Sequence, residues 1–175
     1  MSIPNSKFHE GLELCERNAE RLYRAAFQAF QNGNYLCSFI LGFNCWEEIG
    51  KAFLILDNWD GDFIPQKKWG AEFMGHHTKI QKARYRRDQL LAGQILEGSE
   101  GVIDFKLVPD IEYTKKMVVM RTACVYVDYD FKEELWKSPM ELMERLDELA
   151  MSVRGMADQS KEALIKMKKI KGIIS

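Results

Sequence analysis

Trp46-Glu47-Glu48-Ile49-Gly50-Lys51 sets two carboxylates and an ammonium into a run, Tyr35 to Leu56, that is otherwise mostly apolar. Apolar residues recur at Leu36, Ile40, Phe43, Trp46, Phe53 and Leu54, which is helical spacing. Counting 100° per residue puts Glu47 on the stripe of Leu36, Ile40 and Phe43. Lys51 lies one turn further along, on the flank of that stripe. Gly50 falls near its centre, where a missing side chain lets a second helix come close. A charge on a core-facing stripe is costly unless it is paired. The stretch therefore predicts a buried helix packed against others, one of which carries a partner for Glu47.

The flanking sequence supplies the other helices. Phe8, Leu12, Cys15, Ala19, Leu22, Ala26 and Ala29 form an apolar seam that predicts a first helix over about 6–30. Asn32-Gly33-Asn34 ends it, with Gly33 as a left-handed cap. The run at 35–56 follows at once, so the two form an antiparallel hairpin. A turn-rich loop, Asp57 to Asp62, closes near Pro65. A third helix is expected over about 67–91, with Trp69, Phe73, His76, Ile80 and Ala83 as its seam. Glycines at 93, 98 and 101 and Pro109 then break the pattern, which marks a small irregular or hairpin insertion around 93–112.

A fourth helix, about 112–128, reads as apolar nearly all round and hence central. Tyr129 to Lys137 reads as an irregular connector. Ser138-Pro139-Met140-Glu141 is a helix start signal, and Leu142, Leu146, Leu149, Val153, Met156, Ala163, Met167 and Ile170 line the last helix. The fold class is all-α: one domain over 1–175, an antiparallel bundle of four to five long helices.

Composition narrows the function. Over 175 residues the formal net charge is −1, so no bulk field attracts nucleic acid or a membrane surface. The four cysteines, Cys15, Cys37, Cys45 and Cys124, form no CxxC pair and read as packing residues of a reducing compartment. The N-terminus has no charged start followed by an apolar run, and no stretch reaches the ~18 apolar residues of a membrane span. A cytoplasmic protein is expected, without membrane contact.

Three polar groups interrupt the seams: Glu47 on the second helix, His76 on the third, and Arg121 with Asp128 on the fourth. His77 lies at the edge of the third seam and Lys79 on its other flank. One reading is a buried polar network in which Glu47 pairs with Arg121 or Lys51 and the histidines hydrogen-bond to it. The other is a cleft where Arg, His and carboxylate converge on a phosphodiester, Arg stabilising charge and His moving protons. A dinuclear metal site needs Glu-x-x-His pairs, which the sequence lacks, and scattered cysteines argue against zinc. No metal and no cofactor is expected. Lys82 to Arg87 is a basic run that fits a solvated face or a phosphate contact equally well.

Taken in series, the interruptions resemble a known family. Asn34-Tyr35, Glu47-Glu48-Ile49-Gly50-Lys51-Ala52, Gly75-His76-His77-Thr78-Lys79 and Arg121-Thr122-Ala123-Cys124-Val125-Tyr126-Val127-Asp128 are similar, in that order, to motifs of the AbiV family of abortive-infection proteins, within the HEPN group of α-helical domains. The resemblance covers about residues 10–130. It implies a HEPN-like bundle and a role in bacterial phage resistance. It also implies a homodimer, with a phage-encoded protein activator, the host translation machinery or RNA as partners.

HEPN relatives commonly cleave RNA without metal through Arg, four to six residues, then His. Arg121 matches the Arg, but the residue five places on is Tyr126 and no His follows. Tyr126, with an unperturbed pKa near ~10, is a poor proton shuttle. The candidate catalytic set is therefore Arg121 with His76 or His77. Glu47, Glu48, Lys51, Lys79, Tyr126 and Asp128 form the supporting polar network. Two functions follow: a binding effector that arrests processes of the infected cell such as translation, and a ribonuclease with a variant site.

Overall fold

Asn32-Gly33-Asn34 reverses the chain as its composition requires. Gly33 has φ 73°, the left-handed region that favours glycine, and the Asn34 side chain accepts the Cys37 backbone N–H at 3.2 Å. The computed structural model describes residues 2–91, 111–123, 128–130, 135–137 and 146–174. The turn joins α1 (Phe8–Gln31) to α2 (Tyr35–Leu56). Then come the short α3 (Gln66–Lys68), a π-helical turn (Trp69–Phe73), α4 (His76–Leu91), α5 (Ile111–Ala123) and α6 (Leu146–Ile170). Ile3–Pro4 (β1) pairs antiparallel with Phe63–Ile64 (β2). Asp128–Asp130 (β3) pairs antiparallel with Leu135–Lys137 (β4). The architecture is the all-α bundle that the seams predict. No helix among the described residues is long and apolar enough to cross a membrane.

The α1 seam is buried at Phe8, Leu12, Ala19 and Ala26. The central element is α2, which packs against α1, α4 and α6. Phe39, Phe43, Trp46, Phe53 and Leu56 of this helix are fully enclosed. Burying each such side chain stabilises the fold by about 1.5–3 kcal/mol. The fourth predicted helix is not central: Val119 of α5 is 66% exposed, Met117 is buried in the apolar core, and Val118 and Met120 pack against that core only half-buried.

α6 closes the bundle. Val153, Met156, Ala163 and Met167 are buried as the spacing predicts. Its cations reach α1: Lys168 to Glu16 at 2.8 Å and Lys161 to Glu20 at 2.6 Å. Lys161, then Arg24, hold the Glu20 carboxyl below its ordinary range. That small contribution is present at neutral pH and is lost as pH falls through the lowered value. A buried relay crosses the core: Trp46 Nε1 donates to Ser160 Oγ at 3.0 Å, and Ser160 Oγ donates to the Ala83 carbonyl at 3.3 Å.

Five expectations need correction or fall elsewhere. The third helix is not continuous. The π-helical turn, closed by Met74 N–H on the Trp69 carbonyl at 3.3 Å, inserts an extra residue, and α4 starts afresh at His76. Within 93–112 only Ile111 and Glu112 are described, both already helical, and the rest of the expected insertion lies outside the described residues. The connector at 129–137 contains the β3–β4 pair. Asp128 stands on β3 rather than on a helix, so it shares no helical face with Arg121. The start signal at Ser138 lies outside the described residues.

Gly50 is where α2 and α4 meet backbone to backbone. A Cβ there would overlap the Lys79 carbonyl oxygen and sit 2.6 Å from its carbon and 2.9 Å from Lys79 Cα. Backbone cannot swing aside as a side-chain tip can, so Gly50→Ala must push α4 off α2. The expected loss is about 2–3 kcal/mol in urea unfolding. A change within about 0.5 kcal/mol would show that the two helices are not in such contact.

Candidate functional site

The close approach at Gly50 carries the first turn of α4 over Glu47. His76 Nδ1–H donates to Glu47 Oε1 at 2.6 Å, and Lys79 Nζ lies 3.5 Å from Glu47 Oε2. Glu47 is 6% exposed and Lys79 is 4% exposed, so both charges are buried, and each is the other's counter-ion. The His76 side chain is 47% exposed and stands at the edge of the pair. With Nδ1 donating to the carboxylate, the neutral imidazole presents Nε2 as a proton acceptor.

The partners of Glu47 are thus His76 and Lys79 rather than Lys51 or Arg121. Lys51 Nζ instead donates to Glu48 Oε1 at 2.7 Å. Glu47 and Glu48 are about 100° apart on α2 and so serve different faces. Lys79 is buried, not flanking, because α4 begins at His76. Counted from there, His76, Lys79, Ile80 and Ala83 form an i, i+3, i+4, i+7 stripe. Among the described residues Arg121 makes no ion pair or hydrogen bond with Glu47 or His76, and its buried Nε has no hydrogen-bond partner. His77 is half-buried, and its Nε2 is also enclosed without a partner there. Tyr126 lies outside the described residues, as does the side chain of Asp128.

A second charged cluster escaped the sequence reading. Asp57, at the end of α2, takes Lys82 Nζ on Oδ2 and Arg86 Nη2 on Oδ1, the latter at 2.5 Å. Arg86 Nη1 also donates to Gln89 Oε1 at 2.7 Å, and Gln89 Nε2 donates to Tyr85 Oη at 3.1 Å. Arg84 and Arg87 both face Asp88. The basic run is therefore paired within the chain and partly buried. The available signal was Asp57 itself, a carboxylate directly following an apolar helix.

Thiol chemistry has no support at the buried Cys45 or the half-buried Cys15. Burial pushes the Cys15 and Cys45 thiols up to about 12. The Cys45 thiol donates to the Ala19 carbonyl at 3.2 Å. No three His, Cys, Asp or Glu side chains gather as a metal site among the described residues.

Residues 7–159 match the family HEPN_AbiV, described as AbiV. The chain belongs to the AbiV family. Neither a curated protein nor a solved structure matches it. Membership of the AbiV family links the chain to abortive infection, a defence against phage. In AbiV terms, the Glu-Glu-x-Gly-Lys helix and the His-x-x-Lys helix are the two faces of one contact. Glu47 meets His76 and Lys79 across the gap that Gly50 leaves open.

Two predictions follow from this geometry. Glu47→Ala strands the Lys79 ammonium in the core and should cost about 3 kcal/mol in denaturant unfolding. The double variant Glu47→Leu/Lys79→Met removes both charges and should recover most of that loss. A double variant no more stable than the single one would show that the pair is not what Glu47 contributes. In the folded protein at pH about 8, a thiol reagent should modify the exposed Cys37 while sparing Cys15 and Cys45. Peptide mapping would read the result, and equal labelling of all three would contradict the raised Cys15 and Cys45 thiols.

Proposed function

We propose that this chain is a phage-defence effector that acts in the cytoplasm by binding, as a homodimer, and arrests a process of the infected cell such as translation. Family membership supports the defence role. The observation that carries the binding reading is the closure of the Glu47 site. One carboxylate oxygen goes to His76 and the other to Lys79, and among the described residues Arg121 makes no ion pair or hydrogen bond with either Glu47 or His76. A phosphodiester-cleaving centre needs its Arg and its proton-transfer group on the same phosphate. A buried Glu–Lys pair with a histidine at its edge needs no substrate to be satisfied.

The second reading, a metal-independent ribonuclease with a variant site, is favoured by the Glu47–His76 pair itself. A carboxylate at 2.6 Å from Nδ1 orients the imidazole, and the half-exposed ring keeps Nε2 for a proton. Under this reading His76 is the base, and Arg121 reaches the phosphate only once RNA is bound.

A single assay separates the two. The purified full chain is added to a cell-free translation reaction, and in parallel to tRNA and total RNA without metal. The binding reading expects dose-dependent loss of translation with intact RNA, and the same inhibition from His76→Ala and Arg121→Ala. RNA cleavage by the wild type that both variants lose would replace it with the ribonuclease reading.

A further inference from the structure

On the face of α2 that bears Glu48, α1, α2 and the π-helical turn line an open cleft of about 630 Å³. That size suits one small ligand. Its walls include Phe8, Leu14, Ile55, Trp69 and Phe73. Leu14 is 51% exposed and Trp69 is 37% exposed, both facing a cavity that nothing in the described chain fills. Gly11 keeps the cleft deep: a Cβ there would already lie 3.2 Å from Ile55 Cδ1. Trp69 is held in place by stacking on the buried Phe73, with ring centroids 4.4 Å apart.

The polar groups of the cleft are uneven in charge. Lys7 has Glu10 at 2.7 Å, Lys51 has Glu48 at 2.7 Å, and Arg17 has Glu13 at 3.7 Å. Arg21 has no carboxylate among the described residues. Its Nη2 donates to the neutral Asn18 Oδ1 at 2.9 Å. That bond uses one of five guanidinium donors and, being made to Oδ1, leaves the Asn18 Nδ2 as a donor. The cleft thus has an apolar wall and, beside it, one uncompensated planar cation next to an amide. A planar fork of this kind matches a carboxylate.

We propose that this cleft binds a soluble single-chain amphiphile, an acyl tail ending in a carboxylate. The carboxylate pairs with Arg21 and Asn18. The tail lies against Leu14, Ile55, Phe8 and Trp69. The site is separate from the Glu47 pair, so it stands or falls independently of which defence mechanism operates.

The full chain is titrated with monomeric dodecanoate and followed by calorimetry and tryptophan fluorescence, with dodecanol as the neutral control. Dodecanoate should bind saturably, one per chain, and the fluorescence change should vanish in Trp69→Phe. Arg21→Gln should weaken dodecanoate about tenfold and leave dodecanol unchanged. Leu14→Glu, a change at a half-exposed wall position, should abolish binding while the circular dichroism spectrum and melting stay native. The proposal is overturned if dodecanol binds as tightly as dodecanoate, if Arg21→Gln is without effect, or if no saturable binding occurs. Binding to anionic vesicles with none to monomeric dodecanoate would also overturn it, since the occupant would then be a bilayer.

Discussion

The backbone of α2 touches the backbone of α4 at Gly50, and most of what distinguishes this bundle depends on that contact. Helix axes usually stay apart by the depth of a side chain. Here a glycine removes that spacer at one point, and the Lys79 carbonyl fills the gap. Two side chains on the first turn of α4 then fall within reach of a carboxylate one turn back on α2. One turn further on, the same alignment brings the Ala83 carbonyl to Ser160, and through it to Trp46. The polar links among three helices are thus set by the absence of one Cβ. A buried charge such as Glu47 is tolerable only because this geometry delivers Lys79 to it.

Much of this was legible in the sequence because the rules involved are local. The α1 seam and the bounds of α2 follow from 3.6-residue periodicity and from a turn whose residues have distinct conformational needs. The role of Gly50 also follows, since a glycine at the centre of an apolar stripe has few other uses. The partners of Glu47 were harder to read. Counting 100° per residue from Trp69 assumes a continuous helix, and the π-helical turn breaks the phase before His76. Lys79 then moves from flank to core, and a residue read only as part of the wider polar network becomes the counter-ion. Arg121 was drawn into the cluster by a seam argument that α5 does not satisfy, because α5 lies at the edge of the bundle and leaves Val119 exposed. Ser160 was readable by the same rule as Glu47, being a polar residue between Met156 and Ala163 on a buried stripe.

The adjacent carboxylates illustrate how one short motif serves two surfaces. Glu47 and Glu48 differ by one residue and so by about 100° around α2. Glu47 turns to α4 and is buried with Lys79. Glu48 turns to α1, pairs with Lys51 at 2.7 Å, and forms part of the cleft wall. Lys51 is therefore unavailable to Glu47 although it is four residues away on the same helix. Reading the motif as one cluster merges two environments that the helix keeps apart.

The basic end of α4 completes the argument about where this protein can meet a partner. Lys82, Arg84, Arg86 and Arg87 look like a phosphate-binding run in the sequence. In the fold, Lys82 and Arg86 converge on Asp57, and Arg84 and Arg87 on Asp88. Neutralising phosphates with these cations would mean breaking partly buried ion pairs and leaving two carboxylates uncompensated. Replacing one set of pairs by another brings little net gain, since each exchange repeats the desolvation it undoes. The two conspicuous charged motifs, the Glu47 cluster and this run, are each satisfied inside the chain. What remains open among the described residues is of a different kind: apolar side chains at the surface, and a guanidinium beside them with only an amide for company. Recognition by such a surface rests on burying apolar area around one oriented charge, which is the chemistry of a binding site.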